Sequence, residues 1–350
     1  MSLKIGITIG DINGIGPEII IKTLSEEQLL SRFTPIVYGS SKTLGYHKNI
    51  VKNNRFNFIN IDQAHHAKEG KINVISAWQE SVSIDIGQGT KESGLSAYIA
   101  LDRAINDLNQ GEIDAIVTAP INKAAMKMAD FPYLGHTEYI TRMADADDSL
   151  MLLTSDQLTV GLVTAHIPLE EVSRAVTADV ILDKIEILDQ SLKVDFGIER
   201  PKIAILGLNP HAGDSGQIGT TEETEITPAI LAAKENGILA MGPFAADGFF
   251  GNGSYKKFDA ILAMYHDQGL IPFKALSFGT GVNFTAGLDI IRTSPDHGTA
   301  YEIAGKNMAD PSSMRHAIYM ALDIATNRKL HDEVSANSLD IVVEHKEEAD

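Results

Sequence analysis

Residues 160–168 read VGLVTAHIP, residues 203–213 read IAILGLNPHAG, and residues 260–269 read AILAMYHDQG. Each is an apolar run that stops at turn residues and delivers a histidine near the stop: His166, His211 and His266. Such runs read as buried parallel strands, and open α/β sheets collect their ligands outside the carboxyl ends of strands. Three imidazoles in that setting form a candidate divalent-metal site with positions left open for substrate. Taken singly, such a histidine is more often a satisfied structural residue than a ligand; three in similar settings bring the two readings level, and their wide separation in sequence does not itself prove that they converge.

Outward from these runs, short β-branched segments alternate with longer helical patterns, the signature of parallel βαβ units and an α/β fold. Strands are expected at Lys4–Ile9, Pro35–Tyr38, Ala115–Thr118, Thr159–Thr164, Lys202–Leu206, Ala260–Met264 and Gly281–Thr285. Tyr98, Leu101, Ile105 and Leu108 repeat at helical spacing before Gly111. Ile181, Ile185, Leu188 and Leu192 do the same between a candidate N-cap at Thr177 and a stop at Gly197. After Leu330 the sequence turns acidic and loses helical spacing, so residues 331–350 read as a frayed tail.

With 350 residues the chain is long enough for two lobes around a cleft. It contains no cysteine, which excludes disulfides and thiolate chemistry and leaves any metal to histidine and carboxylate ligands. A net charge of −18 opposes nonspecific binding to nucleic acid or an anionic membrane, so small molecules are the expected partners. No apolar stretch reaches the ~20 residues of a membrane span, and the opening MSLKIGITIGD lacks a signal peptide's apolar core. A cytoplasmic protein is expected.

Several segments carry polar chemistry. Gly10-Asp11-Ile12-Asn13-Gly14-Ile15-Gly16-Pro17-Glu18 joins a strand to a helix and reads as a ligand loop or a tight structural turn; it is neither a dinucleotide fingerprint nor a P-loop. Thr118-Ala119-Pro120-Ile121-Asn122-Lys123 leads to Gly135-His136-Thr137-Glu138, where His136 and Thr137 could bond an anionic oxygen or cap a surface helix. Asp267, beside His266, is a candidate orienting group or proton acceptor. Lys274, Asn283 and Arg292 could hold a phosphate or carboxylate, although exposed lysine and arginine are commonly just solvated. Ser294-Pro295-Asp296-His297-Gly298-Thr299-Ala300 precedes a helix-like stretch ending near Gly305 and reads as an adenine or ribose loop, or as a simple cap.

In this order, GDINGIGPEI, TAPINKAAM, GHTE, TAHIPL, LNPHAG, MYHDQG and GVNFTAGLDIIRTSPDHGTA resemble the 4-hydroxythreonine-4-phosphate dehydrogenase family of vitamin B6 biosynthesis, over nearly all of the chain before the tail. The resemblance implies an isocitrate/isopropylmalate dehydrogenase-like α/β fold with two lobes around a central cleft. Residues 1–135 plus 275–330 would form an outer lobe and 136–274 a central one. It implies His166, His211 and His266 as metal ligands, His136, Thr137, Lys274, Asn283 and Arg292 as substrate contacts, and Asp296, His297, Gly298 and Thr299 as cofactor contacts, with Asp267 a catalytic candidate. NAD or NADP and a divalent metal (zinc, cobalt or magnesium) are the implied cofactors. A homodimer with its active site at the interface is the implied assembly, so that one ligand histidine comes from the partner.

There are departures. Ile12-Asn13 stands where the family usually has Pro-Ala, and Ser215, Gln217 and Thr221 replace a glycine, a histidine and a glutamate. The implied reaction is oxidation and decarboxylation of 4-phosphooxy-L-threonine to 3-amino-2-oxopropyl phosphate. The rival within the family is a dehydrogenase of threonate or erythronate phosphate. From other classes, a metal hydrolase needs no nicotinamide and a phosphate-metabolite sensor has no turnover.

Overall fold

The computed structural model describes residues 2–133, 135–144, 148–277 and 279–336. Twelve strands form one sheet: β1 Lys4–Thr8, β2 Thr34–Gly39, β3 Phe58–Ile61, β4 Ile72–Ser76, β5 Ala115–Thr118, β6 Leu150–Thr154, β7 Thr159–Leu162, β8 Lys202–Leu206, β9 Leu239–Phe244, β10 Ala260–Ala263, β11 Val282–Ala286 and β12 Arg292–Pro295. Across the sheet their order is β3-β4-β2-β1-β5-β12-β11-β6-β7-β10-β8-β9. The α/β class is as the alternating pattern predicts. All seven strands expected from the apolar runs are present, with ends moved by at most two residues.

Pairing is parallel from β3 to β12 and again from β7 to β9. Between them, β12 with β11, β11 with β6 and β6 with β7 are antiparallel. Three reversals in a row make the two parallel halves run in opposite directions. Their carboxyl ends therefore emerge at opposite edges, and ligand groups from both halves can meet only over the antiparallel middle. This replaces the expected crevice beyond one edge of the sheet.

Both faces are covered. One apolar cluster runs through Ile5, Ile7, Ile20, Ile116, Leu152, Ile203 and Phe284, and a smaller one packs Leu153, Val160, Leu206, Phe249 and Phe273. Helix Lys91–Asn109 starts on a reciprocal capping box between Thr90 and Ser93. Helix Ala178–Val194 starts where the sequence places its cap, with the Thr177 hydroxyl accepting from Val180 N at 3.4 Å.

Two expectations are corrected. The stretch after Ala300 forms a run of turns over residues 301–307 rather than a helix. Helix Ser312–Ala336 continues past Leu330, because Ala317, Ile318, Ala321, Leu322, Ile324 and Ala325 anchor it on the sheet and its last turns carry on into solvent. The remainder of the acidic segment, 337–350, lies outside the described residues.

Candidate active site

Over the antiparallel middle lies a cavity of about 260 Å³. Met151 and Leu153 of β6, Asn283 of β11 and Arg292 of β12 form its floor, and His166, His266, Lys123 and Glu138 come from the surrounding loops and helices. A second cavity of about 530 Å³ adjoins it, sharing Lys123, Glu138 and His166 and extending along Phe131 and Tyr133.

His166 and His266 follow β7 and β10, which are adjacent, and their rings face each other with centroids 6.0 Å apart. The His266 Nδ1 lies 2.7 Å from Asp267 Oδ1. That contact fixes the tautomer with Nδ1 protonated and leaves the Nε2 lone pair for a ligand. Asp267 thus sits as an orienting group on a largely exposed side chain. Burial, with the charges of Lys123 and His266, pushes the His166 pKa down, opposed by Glu138 at 4.0 Å. A neutral imidazole is the form that binds a metal.

His211 is not with them. It follows β8, one strand further from the middle than β10, and it is exposed on a loop that does not line the cleft. Among the described residues, no three histidine, aspartate or glutamate side chains are placed to share a metal within one chain. Within one chain, then, the cleft holds a pair of the three histidines, and the third stands outside it. The pair fits a borderline divalent cation in donor type, with one free imidazole nitrogen fixed and a carboxylate behind it.

Arg292 is 4% exposed. Its Nε and Nη2 donate to Thr118 Oγ1 at 3.1 and 2.9 Å, and Nη1 reaches Thr285 Oγ1 at 3.5 Å. Burial lowers its pKa to about 10, against the pull of Glu138, so it remains a cation near neutrality. The hydroxyls of Thr118 and Thr285 orient the guanidinium in the cleft. Lys274 Nζ lies 3.6 Å from Asp296 Oδ1, and burial raises the Asp296 pKa despite that lysine. Asn283 Oδ1 is buried in the cleft without a hydrogen-bond partner among the described residues.

The structure thus brings together His166, His266, Lys274, Asn283, Arg292 and Asp296. His136 and Thr137 begin helix His136–Met143, but their side chains lie outside the described residues. His297 Nδ1 bonds Gly298 O at 3.0 Å while its Nε2 is buried without a partner among the described residues. Thr299 O accepts from Ile15 N at 3.0 Å. Gly298 has open space where a Cβ would sit, so no close approach explains that glycine. Lys123 and Glu138 line the cleft although the motif reading singled out neither. The signal for Lys123 was its position at the first turn of a helix, where a cation opposes the dipole and helix stability does not select it.

Fold and cleft define an α/β protein in which a buried arginine, an exposed lysine and a pair of imidazoles line one small cavity. The model of the pyridoxal phosphate biosynthetic protein PdxA family matches residues 31–321. A 4-hydroxythreonine-4-phosphate dehydrogenase of Bacteroides thetaiotaomicron is 47% identical over 338 residues, covering 96% of this chain and 93% of the relative. One from Aquifex aeolicus is 43% identical, covering 93% and 99%. The crystal structure of the Klebsiella pneumoniae 4-hydroxythreonine-4-phosphate dehydrogenase superposes with a TM-score of 0.82 at 37% identity, covering 93% and 98%. The chain belongs to the PdxA family, and it is an oxidoreductase; the hydrolase and sensor alternatives fall away.

Proposed function

We propose that the chain is an NAD(P)- and divalent-metal-dependent 4-hydroxythreonine-4-phosphate dehydrogenase. It oxidises 4-phosphooxy-L-threonine at its secondary alcohol, and the β-keto acid then loses carbon dioxide to give 3-amino-2-oxopropyl phosphate. The observation that carries this reading is the cleft itself, where the buried Arg292 and the exposed Lys274 line the same 260 Å³ space as His166 and His266. Anionic ends and a reacting alcohol then have separate places within one small substrate's length.

Arg292 holds its fork in place through Thr118 and Thr285, so an anion meets a preformed donor set and little orientation is lost on binding. Lys274 adds a mobile charge beside it, and Asn283 a neutral polar contact. Asp267 keeps the His266 Nε2 free for a metal shared with His166. Such a metal (zinc, cobalt or magnesium) supplies Lewis acidity to the alcohol and later the keto oxygen. The segment Asp296–Thr299 would hold NAD or NADP, which would supply the hydride acceptor.

His211 completes the ligand set from a second copy, in a homodimer with its site at the interface. Its exposure and its separation from the chain's own cleft support that assignment. Residues 1–135 plus 275–330 and residues 136–274 act as outer and central lobes, a division supported by the strand reversal where β11 meets β6. A cytoplasmic location accords with the absence of any helix long and apolar enough to cross a membrane among the described residues.

Absorbance of reduced nicotinamide, followed with a panel of phosphorylated hydroxy acids before and after chelation, tests the whole reading. Turnover of 4-phosphooxy-L-threonine that chelation removes supports it. Preference for threonate or erythronate phosphate moves the substrate within the family, and chelator-insensitive turnover removes the metal.

A further inference from the structure

Three neighbouring parallel strands, β1, β5 and β12, send loops from their carboxyl ends that meet around one buried carboxylate. Asp11 is 0% exposed. Its Oδ1 accepts from Asn13 N at 2.8 Å, and its Oδ2 accepts from Ser93 Oγ at 3.1 Å and from the Tyr301 hydroxyl at 2.6 Å. The side chains of Thr299 and Asn122 lie beside the same hydroxyl, and Asp11 N donates to Pro120 O at 2.9 Å. Asn122 caps helix Lys123–Met128, its Oδ1 accepting from Ala125 N at 2.8 Å, which leaves its amide nitrogen on the Tyr301 side, where a Cβ on Gly89 would touch both.

The surroundings leave little slack. Asn13 Oδ1 accepts from Asp85 N at 2.8 Å and its Nδ2 donates to Gln88 O at 2.9 Å. A Cβ on Gly14 would lie 2.9 Å from Thr299 O, and one on Gly89 would lie 3.2 Å from the Tyr301 hydroxyl oxygen. An apolar plug would join the three loops as well as this network does, because burying a carboxylate costs desolvation energy. What hydrogen bonds add is direction, and the direction here is from Tyr301 through Asp11 to Pro120, next to Ile121 in the cleft wall.

We propose that Tyr301 is a positioning residue, its hydroxyl fixing the segment Asp296–Thr299 against the cleft wall and so setting where a nicotinamide dinucleotide meets the bound substrate. The inference rests on reading Asp296–Thr299 as the nucleotide segment.

Tyr301→Phe keeps the ring and removes the hydroxyl with its bond to Asp11, and Asn122→Asp keeps the helix cap while replacing the amide nitrogen beside that hydroxyl by a carboxylate oxygen. Each is compared with wild type by fluorescence titration with NADH and NADPH, by KM for dinucleotide and phosphorylated substrate separately, by kcat and by thermal midpoint. Expected for both variants is a dinucleotide Kd and KM raised about tenfold, a lower kcat, and a phosphorylated-substrate KM within about twofold of wild type. Dinucleotide binding unchanged in both variants overturns the inference alone. Equal weakening for both ligands with a lowered midpoint also overturns it, since that describes a merely structural bond. Failure of the wild type to bind either dinucleotide overturns the nucleotide reading and this inference with it.

Discussion

Two loops of this chain carry similar glycine-rich sequences and are built in opposite ways. The loop Gly10–Gly16 is buried throughout and tied to its neighbours by Asp11 and Asn13. The loop after β8 is largely exposed, and His211, Ala212, Asp214 and Ser215 all have positive φ, between 44° and 54°. Left-handed backbone costs such residues roughly 1 kcal/mol or more each. It persists because Glu222, 3% exposed, grips the loop's base, accepting from Asn209 N at 2.7 Å and Asn209 Nδ2 at 2.9 Å. One loop is finished within its own chain; the other spends strain to present a histidine outward. The comparison teaches that a strained, exposed loop with a firm base is a candidate for use by another molecule.

The largest effect should come from removing the outward histidine. We expect His211→Ala to lose about 1000-fold or more in turnover, like His266→Ala, although His211 lies outside its own chain's cleft. Mixing His211→Ala with His166→Ala subunits should restore about a quarter of wild-type activity, because half of random dimers are mixed and each has one intact site. Recovery of nothing on mixing would remove the shared site from the comparison.

Next is an acid test of the buried loop. His47 donates from Nε2 to Ile12 O at 2.8 Å, and burial lowers its pKa to about 4. The unfolded chain takes up this proton near pH 6.5, whereas the folded chain refuses it until about pH 4. Stability is therefore intact above pH 6.5 and falls as pH drops through that window, by about 3 kcal/mol in all. Urea midpoints from pH 7 to pH 4 should show a shallower fall in His47→Gln.

Glu222→Ala leaves the Asn209 backbone amide without its acceptor, and a loss of about 2 kcal/mol is expected in urea unfolding. Metal affinity measured by calorimetry should fall with it, since the loop carrying His211 loses its base. Smallest, Ala212→Gly relieves one left-handed residue and should stabilise by up to about 1 kcal/mol, net of the glycine's own flexibility. A destabilised Ala212→Gly would mean that the strain has been overstated.

Local signals survived the passage from sequence to structure. The apolar runs found seven strands, and Thr177 was legible as a cap because its partner is three residues away. Strands β3, β4, β6, β9 and β12 were missed. β12 reads Arg-Thr-Ser-Pro and has no apolar alternation; only its neighbours β5 and β11 make it a strand, and all four residues are buried. The pairing of His166 with His266 was readable as a local setting repeated twice. That His211 stands apart was not, because sheet order depends on which strands pair, and nothing local records it. Lys123 and Glu138 lay inside motifs already quoted, but their meeting needed the fold.

The position of β11 and β12 bears on how the molecule is made. They are the last strands among the described residues, yet they lie between β5 and β6 and are the link joining the two halves of the sheet. During synthesis, each half has its other strands available before the seam exists. Asn283 and Arg292 ride on those two closing strands. Assembly of the cleft is therefore a late event in the folding of the nascent chain, and a chain broken off before residue 282 lacks the Asn283 and Arg292 part of the cleft floor.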